Sequence, residues 1–317
     1  MKRFAMIGVA GYVAPRHMQA IRDTGNILSV AYDINDSVGM IDSYFPDAAF
    51  FTVFEKFEAF MDMEAMAGRA LDYVSIATPN DLHAPHMRFA LRHGADTICE
   101  KPLVLDPADL DRLAAVERET GKSVYTILQL RLHDSVIALK EKVAARIAAD
   151  PGHRFAVDLS YLTSRGAWYF QSWKGDPRRA GGIATNIGIH FFDMLSFIFG
   201  GVSESRVTTC RDDAAAGTLS FSHADVRWFL SVNADHLPEA AKAAGKRTYR
   251  SILVDGEEFE FSEGFGDLHT KSYEEVIAGR GFGLDVARPS VILANSIRSA
   301  PQMGLTGEYH PMAPVIL

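Results

Sequence analysis

Six short runs, apolar along most of their length, punctuate the first 130 residues: 4–8 (FAMIG), 27–33 (ILSVAYD), 48–52 (AAFFT), 71–79 (LDYVSIATP), 96–100 (DTICE) and 123–130 (SVYTILQL). Segments of helical periodicity lie between most of them. Strands with no polar face need cover on both sides, and helices that carry the chain back between them supply it. The pattern predicts a doubly wound parallel sheet, with residues 1–130 as its domain. Helix signals are clearest at 106–121, where Asp106 caps, Pro107 takes the first helical position and Gly121 closes the helix.

After a helix expected near 134–149 the texture changes. In RFAVDLSYLT (154–163), Phe155, Val157, Leu159 and Tyr161 alternate with smaller or polar residues, the mark of a strand with one buried face. DVRWFLSVN and YRSILVDGEEFEF continue in this style, with Asp255-Gly256 as a tight hairpin turn between two alternating runs. Residues 131–317 are therefore expected to form an α+β domain on an open, mostly antiparallel sheet. Its strongest helix is 182–200, and a last helix, 284–299, is expected to pack back on the first domain.

A chain of 317 residues suits about two domains. The net charge of −8 argues against nucleic acid or an acidic membrane as partner. Two cysteines, Cys99 and Cys210, make no disulfide framework and no metal-ligand spacing, so a cytoplasmic protein without a metal is expected. MKRFAMIGVAG imitates the start of a secretory signal, but its apolar run is short and no convincing cleavage site follows. No stretch of about 20 apolar residues is evident for a membrane span.

The turn after the first run, GVAGYVAP, has the parts a phosphate-binding loop needs. Gly8 ends the strand, Ala10 and Gly11 keep the loop small, and Pro15 suits the first helical turn, so that backbone N–H groups and the helix dipole face an anion. Asp33 ends the second run 25 residues after Gly8, where a carboxylate accepts from ribose hydroxyls. No Arg follows in DINDS to meet a 2′-phosphate, which favours NAD over NADP. Tyr12 and Val13 complete the loop's expected cofactor contacts. Thr78, Asn80 and His83 at the end of the fourth run, Glu100 and Lys101 at the end of the fifth, and Gln129 at the end of the sixth are expected to line the same edge. Lys101 there can hold a substrate hydroxyl and assist its deprotonation, while Pro102 forces a sharp exit.

In ATNIGIHFFDML, Asn186 and His190 lie four apart, on one helical face. His190 is the candidate general base, since imidazole titrates near neutral pH; Asp193, one turn on, can orient it. A histidine in so apolar a helix can equally be a satisfied core residue. Upstream, Arg165, Lys174, Arg178 and Arg179 stand among Trp168, Tyr169 and Trp173, a mixture that suits a sugar bearing anionic groups. Arg250, His269 and Tyr273 are weaker candidates for the same ligand.

These pieces in this order resemble the Gfo/Idh/MocA oxidoreductases, on the glycine loop, Asp33, ATPNDLHAPH, EKP and GIHFFD. The resemblance implies a Rossmann domain, an α/β domain on a large open sheet, nicotinamide-linked oxidation of a sugar-like hydroxyl, and a homo-oligomer, dimer or tetramer. It makes Lys101 and His190 the catalytic pair. Where the family often has Asp four residues before the histidine, this chain has Asn186, which can orient but not accept a proton. Within the family, TSRGAWYFQSWKGDPR, LQLRLHDS and YRSILVDGEEFEFSEGFGDLHTKSYEE look like the UDP-N-acetyl-2-amino-2-deoxyglucuronate 3-dehydrogenases (WlbA/WbpB type). That implies a UDP-sugar substrate held by Lys101, Arg165, Tyr169, Trp173, Lys174, Arg178, Asn186 and His190. A dehydrogenase of another sugar or polyol, and a non-catalytic NAD-binding regulator, are the alternatives.

Overall fold

In the computed structural model, which describes residues 1–259 and 264–317, the first six strands are β1 (Arg3–Ile7), β2 (Ile27–Tyr32), β3 (Ala49–Phe51), β4 (Tyr73–Ile76), β5 (Asp96–Cys99) and β6 (Val124–Thr126). They form one parallel sheet in the order β3-β2-β1-β4-β5-β6. All four residues of β4 are buried, as a strand covered on both faces requires. Helices Ala14–Asp23, Phe54–Met66, His83–Arg92 and Ala108–Thr120 return the chain between strands. Asp106 accepts from the Ala108 amide at 2.9 Å, and Gly121 ends that last helix at φ 67°. The sixth apolar run is strand only over Val124–Thr126; Gln129–Leu132 then winds into a 3-10 turn.

The chain divides into two compact units, 1–132 with 266–288, and 133–265 with 289–317. A single cut at 130/131 therefore misplaces 266–288. Helix Leu268–Ile277 buries Tyr273 and Val276 in the same core as Phe4, Met18 and Ile21, and the Thr126 amide donates to Phe282 O at 2.9 Å. An amphipathic helix carries no local sign of which sheet it will cover.

In the second unit, helix Asp134–Ala149 precedes β7 (Phe155–Thr163), β8 (Val202–Cys210), β9 (Ala214–Phe221), β10 (Ala224–Ser231), β11 (Thr248–Val254) and β12 (Glu257–Glu258). The sheet order is β12-β11-β7-β10-β9-β8, antiparallel throughout except for the β7–β10 pair. Asp255 and Gly256 both take positive φ (51° and 83°) in the two-residue turn between β11 and β12. Glu260 and Phe261, at the end of the expected second arm, lie outside the described residues.

Helix Ile189–Phe199 lies on one face of this sheet through ring pairs Phe199–Phe155 (5.6 Å), Phe192–Trp228 (5.4 Å) and Phe191–Tyr161 (4.7 Å). The wider stretch Pro177–Phe199 is long and apolar enough to cross a membrane by length and composition, against the expectation that no such stretch exists. Yet 78% of its apolar window is buried inside the protein, which accounts for that composition as a core helix.

On the other face, buried Leu162, Ala216 and Phe229 pack with Ala313 and Ile316. His310 sits over that cluster: its Nδ1 accepts from the Met312 amide at 3.1 Å, so its Nε2–H donates to Ser160 Oγ at 3.1 Å. Burial lowers its pKa from 6.5 to about 4. The unfolded chain binds that proton near pH 6.5 and the folded one only near 4, so stability is lost as pH falls between those values. The second unit should lose on the order of 3 kcal/mol by this route between pH 7 and 4. Urea unfolding across that range checks it, with His310→Gln expected to flatten the dependence.

Candidate active site

The order of the first sheet reverses at β1, and the crevice between the carboxyl ends of β1 and β4 is where open parallel sheets bind ligands. Gly8 leaves β1 at φ 91°, and a Cβ there would stand 2.7 Å from the Ala77 carbonyl carbon after β4. One at Gly11 would stand 3.0 Å from Gly8 O and 3.1 Å from Ala77 O. No side chain fits at Gly8, and one at Gly11 would be tight, so the loop presents bare backbone. Helix Ala14–Asp23 follows, with Pro15 in its first turn and no acidic residue there to repel an anion. Among the described residues, no protein group accepts from the amides of Tyr12 and Val13.

Asp33 stands just past β2. Its Oδ2 accepts from the Ala10 amide at 2.9 Å and its Oδ1 from the Asn35 amide at 2.9 Å. Each oxygen keeps a lone pair for a ribose hydroxyl. Ile34, 84% exposed beside it, and Tyr12, 86% exposed on the glycine loop, are large apolar surfaces of the kind a flat base covers. The sequence reading missed Ile34; its signal is a large aliphatic residue directly after the acidic one. A glycine-only cradle, two unengaged amides and a held carboxylate together fit a dinucleotide.

Thr78, Asn80 and Gln129 also lie at this edge, and Gln129 Oε1 is buried without a partner. His83 does not face outward as expected. It is fully buried, with Nδ1 2.8 Å from Pro102 O and Nε2 3.0 Å from Thr78 O, so it ties the turn after β4 to the turn after β5. Burial lowers its pKa. Glu100 is buried too, with Oε1 3.1 Å from His17 Nε2 and 3.0 Å from His269 Nε2. Burial pushes its pKa up, but the hydrogen bonds from the two histidines outweigh that and hold it well below the usual carboxylate range. Lys101 follows in the same turn, half-buried, its peptide bond to Pro102 cis. His269 and Tyr273, weak candidates for substrate contact, belong instead to this buried cluster of the first unit.

In the second unit the helix carrying Asn186 and His190 begins as a π-helix over Ala184–Gly188 and becomes α-helical at Ile189. Such wide turns are frequent at functional sites. All five π residues are buried, whereas His190 is only half-buried and so can be reached. Asn186 Nδ2 donates to Tyr169 Oη at 3.0 Å, both buried. Asp193 is buried one turn further on.

The basic stretch divides. Arg178 forks onto Asp176 (3.1 and 3.0 Å) with its side chain 90% exposed, a local pair across Pro177. Lys174 lies 4.1 Å from the Trp173 ring centroid and, with Tyr169, lines a cavity of about 160 Å³. Arg211 and Arg298, from beyond β8 and from the last helix, also line it; the sequence offered no sign of them because they are isolated cations far apart in the chain. Arg165 is exposed next to Tyr169's helix, and Arg250 lies over the rings of Tyr161 (5.6 Å) and Phe265 (4.6 Å).

Two family models match: the NAD-binding Rossmann fold of the Gfo/Idh/MocA oxidoreductase family over residues 2–127, and the C-terminal alpha/beta domain of that family over 153–242. A solved structure of the WlbA (WbpB) dehydrogenase from Thermus thermophilus, in complex with NAD and alpha-ketoglutarate, is 48% identical with a TM-score of 0.93, and covers 100% of both chains. The chain belongs to the Gfo/Idh/MocA oxidoreductase family. The same Thermus enzyme in complex with NAD and UDP-GlcNAcA aligns with 48% identity and TM-score 0.93 over 98% of this chain and 99% of that one. Among curated relatives, a putative UDP-kanosamine synthase oxidoreductase subunit of Amycolatopsis mediterranei (strain S699) is 30% identical over 152 residues, 48% of this chain; the chain spans only 41% of that protein's length.

This Gfo/Idh/MocA protein is an oxidoreductase of the NAD-binding type. Gly8→Ala adds a left-handed-backbone penalty and a clash with Ala77, which should cost about 2–4 kcal/mol in stability. Asp33→Ala should weaken NAD binding by about 10–100-fold, the loss of hydrogen bonds to a charged group, with the fold intact. Isothermal titration with NAD alongside thermal melting separates the two effects.

Proposed function

We propose that the protein is an NAD-dependent dehydrogenase that oxidises the C3 hydroxyl of UDP-N-acetyl-2-amino-2-deoxyglucuronate to the 3-keto sugar, in bacterial surface-polysaccharide biosynthesis. The observation that carries this reading is the likeness, at 48% identity and over nearly the whole of both chains, to a WlbA dehydrogenase solved with NAD and UDP-GlcNAcA. Bound NAD supplies the hydride acceptor for the C3 hydrogen. His190, half-buried just after the wholly buried π-turn, takes the hydroxyl proton, and the C3–O bond becomes a carbonyl. The Lys101 ammonium holds the hydroxyl oxygen and lowers the cost of its deprotonation. Asn186, held by Tyr169, orients the sugar.

Lys174, with Arg211 and Arg298 on the same cavity, supplies positive charge for the diphosphate or carboxylate of the substrate, and Arg165 and Trp173 lie in the same basic aromatic stretch. In this reading Arg178 contributes through Asp176 to the shape of the loop. In this reading the first unit carries the NAD turn and Lys101, and the second the remaining sugar contacts. A cytoplasmic homo-oligomer, tetramer or dimer, completes the reading; two free thiols, Cys99 and Cys210, are consistent with a reducing compartment. The Thermus complex with alpha-ketoglutarate supports a second element, reoxidation of bound NADH by that keto acid.

Purified protein with NAD and the UDP-uronate should give NADH absorbance at 340 nm, and faster turnover of an uncharged polyol such as inositol would replace this reading with the polyol alternative. His190→Ala should lower kcat by about 10²–10⁴-fold while NAD affinity stays nearly unchanged. Stabilisation by NAD with no turnover of any sugar would favour a regulator.

A further inference from the structure

Glu100 is an ionised carboxylate in the interior, which costs several kcal/mol unless its oxygens are well served. They are. His17 and His269 both direct Nε2 at Oε1 (3.1 and 3.0 Å), their rings edge to face at 5.2 Å, and the Lys101 amide donates to Oε2 at 3.2 Å. With His17 Nε2 donating, its Nδ1 in the neutral ring is an acceptor, so the Tyr273 hydroxyl 2.7 Å away donates to it. The Ser75 hydroxyl, 2.6 Å from Tyr273 Oη, then donates to that oxygen. The result is one directed chain, Ser75 to Tyr273 to His17 to Glu100, closed by His269 and by the Lys101 backbone. Every bond has one consistent donor, and the Glu100 carboxylate accepts at its centre.

The chain does not conduct protons to water, because its far end, Ser75, is fully buried. Stability alone is a weak reason to keep it, since replacing buried ionic groups by apolar ones is often neutral or favourable. What sets it apart is its place. His17 is on the helix that follows the glycine turn, His269 and Tyr273 are on helix Leu268–Ile277, Ser75 is on β4, and Glu100 is the residue before Lys101. We propose that Glu100, clasped by His17 and His269 and backed by Tyr273 and Ser75, is a positioning residue for Lys101: the cluster holds the turn that carries the lysine and keeps one fixed negative charge in that turn. The Lys101 amide, donating to Glu100 Oε2 at 3.2 Å, ties the lysine's backbone to that carboxylate. This inference rests on the dehydrogenase reading for its catalytic consequence, but not for the immobilisation of the turn.

The test uses the full-length protein and the variants Glu100→Gln, Glu100→Asp and Tyr273→Phe. Glu100→Gln keeps the size and removes the charge; Glu100→Asp keeps the charge and shortens the reach. Glu100→Gln should lower kcat by about 10–100-fold, as loss of an outer partner of a reacting group does, with NAD affinity and KM for the sugar nearly unchanged. Glu100→Asp should recover part of the loss, whereas a cluster that served only to fill space would be served better by Gln than by Asp. Tyr273→Phe, which removes one hydroxyl from an otherwise unchanged core, should lower kcat in the same direction and less. Hydrogen exchange read by mass spectrometry on peptides covering 100–104 should be faster in Tyr273→Phe and Glu100→Gln. If the UDP-sugar is not turned over by the wild type, the function fails while exchange still decides whether the cluster holds the turn. Unchanged kcat and unchanged exchange in Tyr273→Phe would overturn the inference. So would stoichiometric binding of Zn²⁺ alone by the wild type, abolished in His269→Gln, because the three ligand atoms lie within 4.8 Å of one another and the cluster would then be a metal centre.

Discussion

The turn after β1 has no room for a side chain, and the geometry of the first unit depends on that. Gly8 passes so close to the backbone after β4 that a single methyl group would meet the Ala77 carbonyl. This closeness follows from β1 pairing with β2 on one side and β4 on the other, at the place where the strand order reverses. From it follow the direction of helix Ala14–Asp23, the free amides at its start, and the reach of the Ala10 amide to Asp33. A helix start with open amides and a carboxylate held at the same edge are thus outcomes of one packing constraint.

Around that edge the protein buries polar groups in two ways. His83 spends both ring nitrogens on backbone carbonyls and so joins two turns. The Glu100 cluster spends a charge, and its directed hydrogen bonds specify one arrangement where an apolar core would tolerate several. In the second unit the histidines differ just as sharply. His310 is locked as a neutral ring between Met312 and Ser160, while His190 stands half-buried on a helix whose preceding π-turn is wholly buried.

The sequence was most legible where chemistry and local conformation coincide. The glycine turn and the Asp255-Gly256 hairpin each declare a backbone requirement within a few residues, and the structure has both turns; the helix read as capped by Asp106 instead starts one residue later, at Ala108 after Pro107. Arg178 looks like a ligand cation beside Trp173 and Lys174, yet Asp176, two residues away, pairs with it. The sequence was least legible where a side chain's partners lie far along the chain. Arg211 and Arg298 look like ordinary surface charges until folding brings them to the cavity that Lys174 lines. Strands β8 and β9 were not singled out at all, because VSESRVTTC and AAAGTLSF alternate too weakly for periodicity to mark them.

The amino-acid sequence by itself determined the two kinds of sheet, the order of elements in the first 130 residues and the glycine turn after β1. These follow from hydrophobic period, turn chemistry and short spacing, which act over a handful of residues. Only the tertiary structure decided that 266–288 belongs with the first unit, that His269 and Tyr273 serve Glu100, and that His83 faces inward. Those outcomes depend on which apolar face buries against which, a choice made by contacts between residues as much as 256 positions apart, and no local pattern encodes it.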